Sequence, residues 1–340
     1  MKSFNYFKKI VTGSTFLLLL ILICLSSCKK SKDNVAENPI KKVEAGSNLD
    51  VELVFECEDP LVAVDSDEEG NFYLASYTGD IFKVSKDGSS DTIYSGIKCC
   101  GFSLTSLAVL PEGDVIINDC VDDKDILFKI NKSGGRSEFA EVESNLLSLT
   151  SDKSGKVYVG GWVSEGNLTV NFNPNHLSAA EYIAGKIFAI DENGKTEEVY
   201  EGGIPMCVRV DKSGNLTAAI WGKKGDFEAE EKSYSVADLR HMFWITLSEE
   251  PKIISVNGEK ELNTGNLKSI SAFDFFEDGS LIVQAIPEVG GAGLFLLKGD
   301  SDPVNLTFSE DKIDHSITGL EVLNGELYFI NVDGKFYKVK

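Results

Sequence analysis

Basic residues are in short supply. Lysine and arginine total 33 against 54 aspartates and glutamates, for a formal net charge of −21. Holding nucleic acid requires a basic footprint against the phosphates, so that class of partner is excluded. The acidic surplus implies solubility and little more. Histidine is scarcer still, with three in 340 residues, which leaves few metal ligands or general bases near neutral pH. The chain has no phosphate loop, no G-x-S-x-G elbow, no H-E-x-x-H pair and no C-x-x-C redox pair. Chemistry carried by those motifs is therefore absent.

What is present begins with a leader. Lys2, Lys8 and Lys9 form a positive start, followed by an apolar stretch from Ile10 to Leu25 that ends in Leu25-Ser26-Ser27-Cys28. The apolar run is short for a spanning helix, which needs about 20 such residues. It has the layout of an export signal. The end of the run resembles a bacterial lipobox, which implies cleavage after residue 27 and acylation of Cys28. The expected partner of that residue is a lipid bilayer, which several acyl chains hold firmly. Residues 28–49 are then the lipidated cysteine and a polar stretch with almost nothing apolar, expected to act as a flexible tether. Lys29 is not the aspartate linked to inner-membrane retention. The expected location is extracytoplasmic, at the outer membrane.

Five cysteines remain after Cys24 and Cys28 are set aside: Cys57, Cys99, Cys100, Cys120 and Cys207. An exported chain permits disulfides, and the odd count leaves one thiol over. Cys120 is expected to pair with Cys99 or Cys100, with the choice between them open.

The rest of the chain, residues 50–340, repeats itself. Ala63-Val64-Asp65-Ser66-Asp67-Glu68-Glu69-Gly70-Asn71-Phe72-Tyr73 is an apolar lead, an acidic turn ending in glycine, and an alternating run. Five further copies centre on Gly113, Gly155, Gly214, Gly279 and Gly325. Successive glycines lie about 42 to 65 residues apart, the period of a four-stranded propeller blade with insertions. Glycine suits these turns because a tight hairpin requires positive φ. A third strand and a second tight turn follow in DIFKVSKDG (80–88), DILFKINKSG (125–134) and GKIFAIDENG (185–194), and a short outer strand follows each. Each unit reads as strands a, b, c and d. In the fourth and fifth units the third strand falls on MFWITLSEE (242–250) and LFLLKGD (294–300).

The sixth unit lacks its d strand, while Asp50-Val51-Glu52-Leu53-Val54-Phe55-Glu56 is an alternating strand with no unit of its own. Placing it in the vacant position closes a ring and removes exposed strand edges. The expected fold is all-β: a six-bladed β-propeller closed by an N-terminal strand completing the last blade.

The phrase D-x-x-G-N-x-Y followed by G-x-I and a second glycine turn resembles bacterial six-bladed propellers of the gluconolactonase-like and NHL-like group, over residues 50–340. Such folds host hydrolases, lyases and binders alike, so function rests on the site. Glu58-Asp59-Pro60 is similar to the E-x-P start of gluconolactonase-like propellers. The resemblance implies that Glu58 is a ligand to a divalent metal on the channel axis. The other elements of that pattern do not match, and blade 4 carries Ala219-Ile220-Trp221 where an inner Tyr-x-x-Asp would stand.

Topology selects a face. The a–b and c–d turns are tight and share one end of the ring, while the b–c and d–a connections share the other. Only the second end carries long insertions, at Ser164 to Ala184 in blade 3 and Gly222 to His241 in blade 4. Long loops of this kind tend to be functional. Short helices are expected near 176–184 and 235–243, walling the channel mouth. All three histidines, His176, His241 and His315, fall on this face, as does Arg240, suited to an anion. Trp162 and Trp221 end the b strands beside the insertions and Trp244 opens the next strand. Rim tryptophans suit stacking on sugars or other flat apolar surfaces. Asn118 and Asp119 open an acidic b–c loop able to offer oxygen ligands to Ca²⁺ or another divalent ion. Two functions follow as expectations. The first is an envelope lipoprotein whose long-loop face binds a small molecule, a glycan or another envelope protein. The alternative is a metal-dependent lactonase or hydrolase of the gluconolactonase-like kind.

Overall fold

The computed structural model describes residues 49–97, 106–121, 124–142, 144–165, 180–222, 225–228, 251–256, 261–287, 292–308 and 317–340. The strands fall into six antiparallel sheets, one per blade. Strand β1 (Val51–Glu56) comes first. Blade 1 is β2 (Leu61–Ser66), β3 (Phe72–Ser76), β4 (Ile81–Val84) and β5 (Ser90–Tyr94). Blade 2 is β6 (Leu107–Val109), β7 (Val115–Val121), β8 (Lys124–Ile130) and β9 (Arg136–Glu141). Blade 3 is β10 (Asn145–Ser151), β11 (Val157–Glu165), β12 (Ala180–Ile190) and β13 (Thr196–Gly202). Blade 4 is β14 (Ile204–Val210), β15 (Leu216–Trp221), β17 (Lys252–Ser255) and β18 (Glu261–Leu262), and β16 (Gly225–Glu228), between β15 and β17 in the chain, joins the blade 3 sheet. Blade 5 is β19 (Leu267–Phe275), β20 (Leu281–Pro287), β21 (Gly293–Leu297) and β22 (Val304–Leu306). Blade 6 is β23 (Ile317–Leu323), β24 (Glu326–Asn331) and β25 (Lys335–Val339). Its fourth strand is β1, paired antiparallel with β25 from Val51 opposite Val339 to Glu56 opposite Lys335. The closure expected from the orphan strand is the one observed.

Local chemistry explains the turns. All six a–b glycines have positive φ, from 79° at Gly325 to 90° at Gly70. The preceding aspartate caps its own hairpin. Asp67 Oδ1 accepts the Asn71 N–H at 2.8 Å, and its Oδ2 accepts the Asn71 amide at 2.8 Å and the Tyr73 hydroxyl at 3.1 Å. Asp152 repeats this with the Lys156 N–H and the Tyr158 hydroxyl, and Asp211 with Asn215. The D-x-x-G-N-x-Y phrase is therefore a turn-forming device, with the side chain taking over backbone donors. The c–d glycines do a second job. A Cβ on Gly88, Gly134 or Gly194 would lie 2.4 to 2.6 Å from the carbonyl of Val54, Ile93 or Phe139, each on the outer strand of the preceding blade. Close backbone approach there requires glycine.

The core lies between blades. Leu61, Phe72, Leu74 and Val84 of blade 1 pack on Tyr328, Ile330 and Phe336 of blade 6, and Ala108, Ile116 and Leu127 of blade 2 pack on Leu149, Val157 and Val159 of blade 3. The seam between blades 6 and 1 is aromatic, with Phe72 4.4 Å from Tyr328 and 4.8 Å from Phe336.

Two local expectations are corrected. Residues 180–183, expected within a short helix, extend β12, pairing with β11 on one side and with β16 on the other. Tertiary pairing overrides the helix propensity of the Ala-Glu stretch. The third strand of blade 4 is β17 at Lys252–Ser255, not 242–250, because Ile253 and Ile254 carry the register opposite Ala219 and Ala218. Residues 235–243 and 242–250 lie outside the described residues. Among the described residues there is no helix.

Candidate functional site

The channel is built in layers by the six inner strands. Five of them bulge at one equivalent position, where the register skips Val62, Leu147, Met206, Ser271 and Thr318. A bulge turns an extra side chain toward the axis. These five residues, with Ser106 and Ser148, line an axial cavity of about 50 Å³, which has room for one or two waters. The next layer is small: Ala63, Ser106, Ser148, Cys207, Ala272 and Gly319. Its hydroxyls join blades, since Ser106 Oγ accepts the Leu149 N–H at 2.8 Å and Ser148 Oγ accepts the Val208 N–H at 3.0 Å.

Two residues further toward the a–b turns lies a charged layer of Asp65, Ala108, Thr150, Arg209, Asp274 and Glu321, one from each blade. Asp65 Oδ2 accepts the Val109 N–H of blade 2 at 2.7 Å. Asp274 Oδ2 accepts the Val322 N–H of blade 6 at 2.5 Å. Glu321 Oε1 accepts the Ser66 hydroxyl of blade 1 at 2.5 Å. A carboxyl thus reaches the next blade at three seams, taking a backbone N–H at two of them and a hydroxyl at the third. Arg209 faces these carboxyls from blade 4, with an Nη1–H donated to the Val208 carbonyl at 3.2 Å and its Nε buried without a partner. Glu321 is 7% exposed. Asp65, Arg209 and Asp274 keep more surface, yet protein encloses them in depth.

Burial dominates the electrostatics. It pushes the Asp65 carboxyl up to about 6 against the pull of Arg209, and raises Asp274 in the same way. Glu321 stands well above the usual carboxylate range through burial and then the charges of Asp274 and Asp65. Burial works against the Arg209 charge, but the negative charge of the surrounding carboxyls outweighs it and the guanidinium pKa is raised. The layer was not singled out from the sequence, although a signal existed. Asp65, Arg209 and Asp274 each stand five residues before their turn glycine, at Gly70, Gly214 and Gly279, and Glu321 stands four before Gly325. The blade 6 turn is one residue shorter, made by Asn324 at φ 54° and Gly325.

At the other end of the channel, three aromatics share one equivalent position, Trp162 and Trp221 on the b strands and Tyr77 in the turn just after β3. Tyr77 stands opposite Pro60, Trp162 opposite Asn145 and Trp221 opposite Ile204. Tyr77, missed in the sequence, is 41% exposed and Trp162 and Trp221 are half-exposed. Trp221 donates its indole N–H to the Ile270 carbonyl of blade 5 at 3.0 Å, which fixes the ring across a seam. Beside Trp162 the blade 3 hairpin rises above the face. Strand β11 runs three residues past Trp162, and β16 of the blade 4 insertion pairs with Ala180–Ile183 of β12 to give a five-stranded sheet.

The remaining expected site residues fall as follows. Glu58 is exposed in the loop before β2. Asn118 and Asp119 are buried, and Asp119 Oδ2 holds Arg136 at 2.7 Å. Arg136 in turn lies 3.6 Å from the Phe128 ring centre. Asp119 therefore spends its charge inside blade 2. Among the described residues no three His, Cys, Asp or Glu side chains come together as a metal site. The carboxyls of the charged layer are committed to the Val109 and Val322 N–H groups and to the Ser66 hydroxyl. The donor set that gluconolactonase-like propellers would imply does not fit these residues. Cys57 and Cys207 are free thiols, and burial raises the pKa of both. Cys28, Cys99, Cys100, His176, Arg240, His241, Trp244 and His315 lie outside the described residues, as does the Cys120 side chain.

No protein-family model and no curated protein sequence matches the chain. Solved structures do. The chain is similar to virginiamycin B lyase from Staphylococcus aureus, at 13% identity and TM-score 0.54, over 86% of this chain and 99% of that one. A putative gluconolactonase superposes at TM-score 0.53 and 11% identity, over 86% of this chain and 92% of that one. A gluconolactonase from Xanthomonas campestris does so at TM-score 0.52 and 8% identity, over 85% of this chain and 88% of that one. Such low identities speak to architecture alone, and on that ground this chain is a six-bladed propeller built like the gluconolactonase-like and virginiamycin B lyase-like ones.

Proposed function

We propose that this protein is a lipid-anchored envelope protein whose propeller takes a ligand on its b–c/d–a face. The observation that carries the reading is the one-sided elaboration of the ring. The blade 3 hairpin is lengthened, a strand of the blade 4 insertion is added to it, and Tyr77, Trp162 and Trp221 stand at one equivalent height beside it. Rigid strands holding half-exposed aromatic rings suit stacking on a flat apolar surface, such as the face of a sugar or a small cyclic molecule. Metal-dependent hydrolysis of the gluconolactonase kind is the weaker reading, resting on the E-x-P resemblance at Glu58 alone, since the described residues bring no three metal-ligating side chains together.

One experiment separates them. The full-length chain is titrated with a panel of oligosaccharides and lactones, read by tryptophan emission and by hydrolysis. Trp162→Ala and Trp221→Ala are expected to weaken binding at least about tenfold while unfolding stays cooperative. Glu58→Gln and EDTA are expected to change nothing. Affinity that survives loss of both tryptophans places the site elsewhere, and turnover lost with EDTA and with Glu58→Gln favours the hydrolase.

The anchor has its own test. Replacing Cys28 with Ser is expected to abolish palmitate labelling and membrane association, because the thiol is the acylated atom. Labelling equal to that of the unaltered chain refutes the anchor.

A further inference from the structure

The charged layer of the channel has no part in the ligand face and demands its own account. Three carboxyls share that layer with one guanidinium, and each carboxyl reaches the next blade: Asp65 from blade 1 to 2, Asp274 from 5 to 6, Glu321 from 6 to 1. The groups facing them can be followed strand by strand. Strand β2 contributes Asp65 and the Ser66 hydroxyl, β14 contributes Arg209 and the Cys207 thiol, β19 contributes Asp274 and β23 contributes Glu321. Strands β6 and β10 offer Ala108 and Thr150, which carry no charge. Lys212, at the a–b turn of blade 4, acts on Asp274 from outside the layer.

We propose that this layer is a proton-linked lock on the ring: its carboxyls, each tied across a blade seam, take up protons in turn, Glu321 first and Asp65 next, and so relieve repulsion across blades 5, 6 and 1. With Glu321 neutral, two carboxylates and Arg209 leave one negative charge enclosed by protein. Protonation of Asp65 from solvent brings the layer to neutrality. Enclosed charge without a partner is costly, so the neutral layer is the stable one.

The direction of the effect follows. In the unfolded chain these carboxyls titrate near about 4. In the fold burial raises them, to about 6 for Asp65 and well above the usual range for Glu321. A group that binds its proton more tightly when folded favours the fold as pH falls. Its contribution is complete below the unfolded value and lost as pH rises through the folded one. The Asp65 window runs from about 4 to about 6, and Glu321 extends the loss to higher pH. Asp67, Asp87, Asp278 and Glu326 are held below their ordinary values and act in the opposite direction. The comparison must therefore be made between variants.

The test uses the full-length chain in detergent, with unfolding followed at pH 5 and pH 8 and the protonated-carboxyl stretch read by infrared at pH 7.5. Glu321→Gln keeps the shape and removes the titration. Relative to the unaltered protein, its folding constant is expected to be at least about tenfold larger at pH 8, a gain that shrinks toward pH 5. The protonated-carboxyl band is expected in the unaltered protein and lost in the variant. Should the glutamine fail to fold, Asp65→Asn serves, with a flatter dependence of stability between pH 5 and 7 expected. Stability curves that run parallel for the unaltered protein and the variant that folds, or no protonated carboxyl at pH 7.5, overturn the proposal.

Discussion

Replacing Arg209 with Met is expected to destabilise the propeller by about 3–5 kcal/mol, the cost of leaving buried charges without their partner. The methionine fills comparable space, so a packing defect contributes little. What is lost is the one cation that, among the described residues, belongs to the layer and acts on Asp65, Asp274 and Glu321 alike. Against a total stability of about 5–15 kcal/mol, such a change brings the domain close to unfolding. Urea denaturation measures it through the midpoint at constant slope. Adding Asp274→Asn to the same chain is expected to recover part of the loss, because it removes one of the stranded charges while its amide oxygen still accepts the Val322 N–H. A midpoint for Arg209→Met close to that of the unaltered protein, or no recovery in the double variant, shows that the layer is not held by charge.

The second large effect is expected from the closing strand. Deleting residues 50–56 removes β1, leaves β25 with an unpaired edge and uncovers apolar surface on both neighbouring clusters. Val51 packs on the cluster around Leu320 and Phe329, and Val54 and Phe55 on the one around Phe72 and Phe336. Phe55 also lies 5.2 Å from Phe82 of blade 1. Three partly buried side chains at roughly 1.5 kcal/mol or more each make a loss of about 5 kcal/mol, before the lost backbone bonds are counted. Removing residues 29–45 instead is expected to leave the thermal midpoint within about a degree, since that polar stretch has no core to contribute. Equal midpoints for the two truncations dismiss the closure as a source of stability.

The sequence disclosed the parts of this fold that are local. Six glycines need positive φ whatever surrounds them, and Asp67, Asn71 and Tyr73 satisfy one another within seven residues. Even the closing strand was visible, because a blade short of one strand and a strand without a blade are both countable. What stayed hidden depends on distance along the chain. Asp65 looks like one more acid in an acidic turn, and Arg209, Asp274 and Glu321 look like ordinary polar positions of alternating strands. They become a layer only when six inner strands are set side by side in register, and the bulges that set the register have no signature in composition. The same holds for β16, whose partner in β12 comes from another blade. The aromatic trio was two-thirds visible: Trp162 and Trp221 drew notice through residue type, whereas Tyr77 shares their position and not their rarity.

The pairing of β1 with β25 also orders events during biogenesis. The first strand to be synthesised waits for the last, and the Asp50 carbonyl is met by the Lys340 N–H at 2.8 Å only when everything between has been made. Contacts so remote in sequence form slowly, because a long loop must close before they are rewarded. A chain still emerging from the ribosome can assemble individual blades but cannot seal the circle. Ring closure is thereby deferred to the end of synthesis by topology alone, and an unfinished copy shows itself by two open edges, at which chaperones and proteases can recognise it.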